Sequence, residues 1–156
     1  MRILVVGGGI AGLTLATSLR RCGCKLQLIE RAAAWAPVGA GIVLGVNAMA
    51  VLRRLGLGEP VTAVGREVQR ASITDSRGRR LITASFAPLR QEFGPTFALH
   101  RADLHRVLVA AAGDDSVQLG TALCGLTEDG KGVVAATSDG REERYDVVVG
   151  ADGIRS

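Results

Sequence analysis

Aromatic residues are scarce in this chain, with three Phe, one Trp and one Tyr among 156 residues. Lysine and arginine total 19, yet they form no dense block, and the net charge of +4 is mild. Without a basic cluster interleaved with aromatic rings, a nucleic-acid surface is not indicated. Cysteine is sparse too. Cys22, Cys24 and Cys124 make an odd count with no secretory signal ahead of them, which predicts a reducing cytoplasm and no disulfide framework. Cys22-Gly23-Cys24 has neither zinc spacing nor the redox C-x-x-C spacing, so the pair reads as small packing residues beside a helix-ending glycine. Long apolar runs are missing. Residues 3–19 come nearest, but Gly7, Gly8, Gly9 and Gly12 interrupt them and only Arg2 precedes them, against both a signal peptide and a membrane span. No Ser/His/Asp, Cys/His or metal-ligand arrangement stands out. No catalytic acid, base or nucleophile is therefore assigned, and His100 and His105 read as a loop residue and a helix-surface residue.

What is present starts at the second residue. After Arg2, Ile3-Leu4-Val5-Val6 is a continuous apolar run, as a strand buried on both faces requires. Gly7-Gly8-Gly9-Ile10-Ala11-Gly12 follows, then a periodic apolar stretch to Leu19, then Lys25 to Glu30. Strand, glycine turn, helix, strand and acid in this order bind the diphosphate and ribose of a dinucleotide. Gly7 permits the tight turn, Gly9 lets the backbone approach a pyrophosphate, and Gly12 lets the helix pack closely. The helix N-terminus supplies unpaired N–H groups and a positive dipole end. Glu30, eighteen residues past Gly12, is placed to accept hydrogen bonds from ribose hydroxyls and to repel a 2′-phosphate.

The pattern predicts a first helix from Ile10 to Cys22, with Leu13, Ala16 and Leu19 on its buried stripe. Trp35 reads as loop packing in an irregular stretch ended by Pro37. Asn47 is expected to cap a helix running to Leu55, and a short turn is expected over Glu59 to Val64. Strands are expected over Val68–Thr74, Arg80–Phe86, Val117–Leu126, Gly132–Thr137 and Glu142–Tyr145, with a helix over Arg101–Ala112. Asp-Gly signals mark hairpin turns at Asp129-Gly130 and Asp139-Gly140. From Asp146 to Ala151 the chain is apolar after its first residue, so it returns to the parallel sheet. The expected fold is α/β and Rossmann-like, with a parallel βαβ core and an inserted antiparallel β-meander.

Three segments together resemble the FAD-dependent aromatic hydroxylases, the para-hydroxybenzoate hydroxylase-like group of single-component flavoprotein monooxygenases. They are Gly7–Gly12 with Glu30-Arg31, then Leu99-His100-Arg101-Ala102-Asp103-Leu104, and Tyr145 to Ser156 with its Gly150-Ala151-Asp152-Gly153 core. The stretch from Gly39 to Leu57 fits as well. The resemblance implies that Gly7, Gly8, Gly9, Ile10, Ala11 and Gly12 cradle the FAD diphosphate, while Glu30 holds the adenosine ribose with Arg31 near the adenine. It further implies that Arg101 reaches the phosphates, that Leu123 touches the adenine edge through its backbone, and that Asp152 serves FAD and NAD(P)H binding. The implied reaction is NAD(P)H reduction of FAD, then transfer of oxygen from a C4a-hydroperoxide, formed with dioxygen, to an aromatic or similarly electron-rich small molecule. Members of that family continue into a substrate-domain sheet, a Gly-Asp motif and a C-terminal helix. Residues 1–156 are therefore expected to be an incomplete FAD-binding domain, inactive alone, with the substrate domain largely absent and some bare surface suited to a homo-oligomer. Two other readings stay open. One is a short non-catalytic nucleotide- or FAD-binding module. The other is a different FAD oxidoreductase, such as an amine oxidase or flavin halogenase, which shares the first motif but fits the later two less well.

Overall fold

The structure is a computed structural model and describes residues 1–36 and 39–154. Pro37, and Arg155-Ser156 of the third motif, lie outside the described residues. The chain divides into two compact units, residues 1–37 with 108–156 and residues 38–107.

The first unit is built on a parallel sheet. Strand β1 (Arg2–Val6) sits between β2 (Lys25–Glu30) and β12 (Val147–Gly150), and β2 carries β8 (Val117–Leu119) on its outer edge. All three pairings are parallel. Ile3, Leu4, Val5 and Val6 are all buried, as an unbroken β-branched and leucine run in a central parallel strand must be. Each such side chain gains about 1.5–3 kcal/mol relative to exposure. Helix α1 (Ile10–Arg21) packs on β1 and β2, burying Gly12, Leu13, Ala16 and Thr17. It stops at Cys22, where Gly23 takes φ +72°. The Gly23 N–H donates to Arg20 O at 2.9 Å and the Cys24 N–H to Leu19 O at 3.1 Å, a double closure that glycine allows without strain.

A three-stranded antiparallel sheet completes this unit, in the order β11 (Glu142–Tyr145), β10 (Val133–Thr137), β9 (Leu123–Glu128). Its Ala135 and Tyr145 join Leu4, Val6 and Ile29 of the parallel sheet in one buried cluster, with Leu123 and Val148 against it. A polar seam runs beside that cluster. The Tyr145 hydroxyl donates to Gln27 Oε1 at 2.6 Å, Gln27 Nε2 to Gln118 Oε1 at 3.1 Å, and Gln118 Nε2 to Asp139 Oδ2 at 2.9 Å. The seam ties β11 to β2, β8 and the β10–β11 turn. Arg144 grips Asp129 with both terminal nitrogens, at 2.6 and 2.7 Å.

The second unit holds a sheet of β3 (Gly41–Leu44), β7 (Phe97–His100) and β4 (Arg66–Glu67), all antiparallel. It also holds helices α2 (Val46–Arg54), α3 (Gly58–Val64) and α4 (Ala87–Phe93), and a ribbon of β5 (Arg70–Thr74) and β6 (Arg80–Ser85). Helix α5 (Arg101–Ala112) begins directly at the end of β7.

The expected α/β fold, with its parallel core and inserted antiparallel strands, is the observed one. Local boundaries differ. Asn47 does not cap α2; Gly45 stands at that position and Asn47 lies inside the first turn. Val68 lies in no strand; the expected Val68–Thr74 strand begins only at Arg70, as β5, and the short β4 precedes it. Val117–Leu126 is likewise two strands in two different sheets, broken where Gly120 takes φ +69°. Helix α4 and strand β7 have no counterpart among the expected elements, and His100 closes β7 where a loop is expected.

Candidate functional site

Gly7 turns the chain out of β1 at φ +110°, a region that L side chains rarely enter. A Cβ there would stand 2.5 Å from the Ala151 carbonyl oxygen. The turn is pinned on both flanks: Gly7 N–H donates to Ile29 O at 2.8 Å, and Ala151 N–H donates to Val6 O at 2.7 Å. A Cβ on Gly12 would collide with the Gly7 carbonyl oxygen. Glycine at this position therefore seats the first turn of α1 on the turn that leaves β1.

Gly9 is different in kind. Its φ of −76° and ψ of −177° are ordinary extended backbone, and a Cβ there would meet nothing within 4 Å. The protein itself does not require glycine here; the space beside it is open. Gly9 occupies the N-cap of α1 with no side-chain cap, and no acidic residue lies in the first turn. Ile10 and Ala11 open the helix half-buried and exposed. A twelve-residue helix thus presents an uncapped N-terminus, with its partial positive charge, to open space.

Glu30 ends β2 next to this turn. Its Oε2 accepts the Gly8 N–H at 2.7 Å and its Oε1 accepts the Ala32 N–H at 2.9 Å. A carboxylate offers about four acceptor directions, so two of them stay open to further donors. The chain then covers the end of β2. Gly120 N–H donates to Ala32 O and Thr121 N–H to Glu30 O, each at 2.9 Å.

Between these ends lies a cleft of about 210 Å³. Val6, Gly7, Ile29, Glu30 and Arg31 line it from the first βαβ unit, Thr121, Ala122 and Leu123 from the chain entering β9, and Asp152 from just past β12. It sits at the carboxyl ends of β1 and β2, where the chain leaves β1 to one flank and returns on the other through β12. Crevices at such reversals are where open α/β sheets bind ligands. Glu30 and Asp152 make its lining more acidic than Arg31 makes it basic, which suits hydroxyl donors there and leaves anions to the helix end.

The structure therefore gathers Gly7, Gly8, Gly9, Ile10, Ala11, Gly12, Glu30, Arg31, Leu123 and Asp152 in the first unit. Arg101 stands in the second, as the first residue of α5, with its N–H donating to Ala40 O at 3.1 Å. Asp103, two residues further along α5, is engaged by Arg106 at 2.9 Å. Sequence reasoning missed Thr121 and Ala122. The signal was Gly120, hidden when 117–126 is read as one strand.

The sequence matches the FAD binding domain family over residues 1–156, the whole chain. The chain belongs to that family. Aurachin C monooxygenase/isomerase of Stigmatella aurantiaca is 40% identical over 157 residues, covering 100% of this chain and 41% of that protein. The 3-amino-4-hydroxybenzoate 2-monooxygenase PtmB3 of Streptomyces platensis is 39% identical, over 99% of this chain and 40% of that protein. Among solved structures, Klebsiella pneumoniae HpxO complexed with FAD and uric acid superposes with a TM-score of 0.85 at 29% identity, over 95% of this chain and 38% of that one. The chain thus spans about 40% of the length of the curated relatives it matches.

The residues of this FAD-binding domain fit the cofactor. Open space faces the uncapped α1 terminus where a diphosphate needs donors, and Glu30 keeps acceptor capacity where a ribose needs it. The cleft has room for a nucleoside-sized part of the molecule, not for all of it.

Proposed function

We propose that residues 1–156 are the FAD-binding domain of an NAD(P)H-dependent monooxygenase that uses dioxygen to hydroxylate an aromatic or similarly electron-rich small molecule. One observation carries the reading. The glycine turn leaving β1 sets an uncapped helix N-terminus and the Glu30 carboxylate side by side at the end of a parallel sheet. The kinship to named monooxygenases supplies the reaction class.

In this reading the amides of Gly9, Ile10 and Ala11 and the dipole of α1 hold the diphosphate. Gly7 and Gly12 hold the turn that aims them. Glu30 accepts from the adenosine ribose hydroxyls while its other two directions stay locked to Gly8 and Ala32. Arg31 lies along the adenine, the Leu123 backbone meets its edge, and Asp152 closes the far side of the cleft. The role of Arg101 toward the phosphates rests on the family resemblance alone. Bound FAD supplies hydride acceptance and oxygen activation; the chain binds it, orients it and keeps water from the phosphate loop. The reducing cytoplasm is the compartment we assign, consistent with free Cys22, Cys24 and Cys124. No described helix is long and apolar enough to cross a membrane. Exposed Val43 and Val147 are the apolar positions we assign to self-association or to further chain.

Titrating FAD, ADP and FMN into the chain tests the site. Binding of FAD and ADP, with FMN far weaker, is expected. Absence of FAD and ADP binding refutes it. NAD(P)H oxidation that rises with an aromatic compound and leaves one oxygen atom in the product tests the reaction.

A further inference from the structure

The one tryptophan of the chain packs from its loop against the glycine turn. A Cβ built on Gly8 would lie 2.5 Å from Trp35 Cη2 and 2.6 Å from Cζ3, with Glu30 Cβ 3.2 Å away on another side. The benzo edge of the indole therefore fills the place where a side chain on Gly8 would go, beside the methylenes of Glu30. Gly8 is buried and Trp35 half-buried. The same Gly8 donates its N–H to Glu30 Oε2 at 2.7 Å.

We propose that Trp35 is a positioning residue for the adenosine ribose, acting through Glu30. The ring covers the Gly8–Glu30 hydrogen bond, and a hydrogen bond shielded from water is stronger and better fixed than an exposed one. A flexible glutamate has several rotamers of similar energy. Covering the bond selects the one in which Oε2 stays on the loop and the open acceptor directions face the cleft. The contact also explains Gly8, whose conformation alone does not demand glycine: any side chain there would evict the indole. Loop and ribose recognition are thus coupled through one ring that never needs to touch the ribose.

This inference deepens the FAD-site reading and rests on it, so the test separates the two. ADP and 2′,3′-dideoxy-ADP are titrated calorimetrically into wild type, W35A, E30A and the double variant. Wild type is expected to prefer ADP. In W35A that preference falls about tenfold, the scale of one hydrogen bond to a charged group, while dideoxy-ADP binds as in wild type. Added to E30A, W35A changes nothing further, because both act through one carboxylate. Where W35A does not fold, W35F carries the test, since a phenyl ring falls short of Gly8 while keeping an aromatic group in the loop. Equal loss for both nucleotides, or full additivity with E30A, overturns the proposal by making Trp35 a general support of the loop. An unchanged preference overturns it outright while the FAD site stands. A wild-type chain that binds neither ADP nor FAD overturns both.

Discussion

Gly9 and Gly12 belong to one motif, yet alanine should act on them in opposite ways. At Gly12 the added carbon meets the Gly7 carbonyl oxygen, which cannot move without shifting a turn pinned to both β2 and Ala151. Overpacking of this kind costs about 1–3 kcal/mol, and a backbone obstacle places Gly12→Ala at the upper end. At Gly9 the added carbon meets nothing within 4 Å, at a φ of −76°. Alanine is a poorer N-cap than glycine, but it also narrows the unfolded ensemble by about 0.4–1 kcal/mol. The two effects offset, so Gly9→Ala should stay within about 0.5 kcal/mol of wild type in stability. Its effect falls on the ligand. A methyl group in the open space before α1 displaces a phosphate from at least one charge-assisted hydrogen bond, worth about 1.5–3 kcal/mol, or about ten- to hundredfold in affinity. Urea unfolding of both variants, paired with FAD titration of Gly9→Ala, checks this. If Gly9→Ala binds FAD like wild type, the diphosphate does not lie where the helix points. If it unfolds as readily as Gly12→Ala, the space beside Gly9 is not open.

Glu30→Gln leaves one carbonyl oxygen to serve two N–H donors and removes the charge, so FAD affinity should fall about tenfold and stability by about 1–3 kcal/mol, read by calorimetry and urea unfolding. Tyr145→Phe removes the donor to Gln27 and should cost about 1 kcal/mol, a drop of about 2–4 °C in Tm. The same variant should lose less stability above pH 10, because burial and the nearby Glu143 charge raise the Tyr145 phenol above its ordinary value and so oppose its ionisation in the fold. The hydrogen bonds from Arg144 lower the Asp129 carboxyl from 3.8 to about 2. Its contribution is complete above the ordinary value and disappears as pH falls from 3.8 toward 2, so Asp129→Asn should flatten the acid limb of the urea midpoint over that window.

The parallel core was legible because its signals are local and redundant. A buried central strand has to be apolar at every position, as Ile3–Val6 is; Val147–Val149 is equally apolar, although β12 forms the edge of the sheet and is only partly buried. Turns that need positive φ announce themselves as glycine, as at Gly7, Gly23 and Gly140. The errors fell where two structures share one pattern. Val117–Leu126 alternates like a single strand, and only the conformation of Gly120 decides that β8 joins the parallel sheet and β9 the antiparallel one. Helix α4 is seven residues with no buried side chain, so it leaves no apolar stripe to read. Asn47 is a good capping residue two positions too late: Gly45 already provides the extended backbone that a helix entry needs.

The candidate site divides along the same line. Glycines that the chain itself requires, Gly7 and Gly12, have steric partners in the structure, and those partners are their explanation. Gly8 and Gly9 differ from these and from each other. At Gly8 the side chain of Trp35, from the loop after β2, takes up the room, a long-range contact that no spacing rule contains. At Gly9 nothing in the chain takes it up. A glycine whose missing side chain leaves open space before an uncapped helix end is accounted for by something the polypeptide does not supply. The size and sign of what fits there, an anion facing helix donors on one side and a carboxylate with open acceptor directions on the other, is set by α1 and Glu30 together.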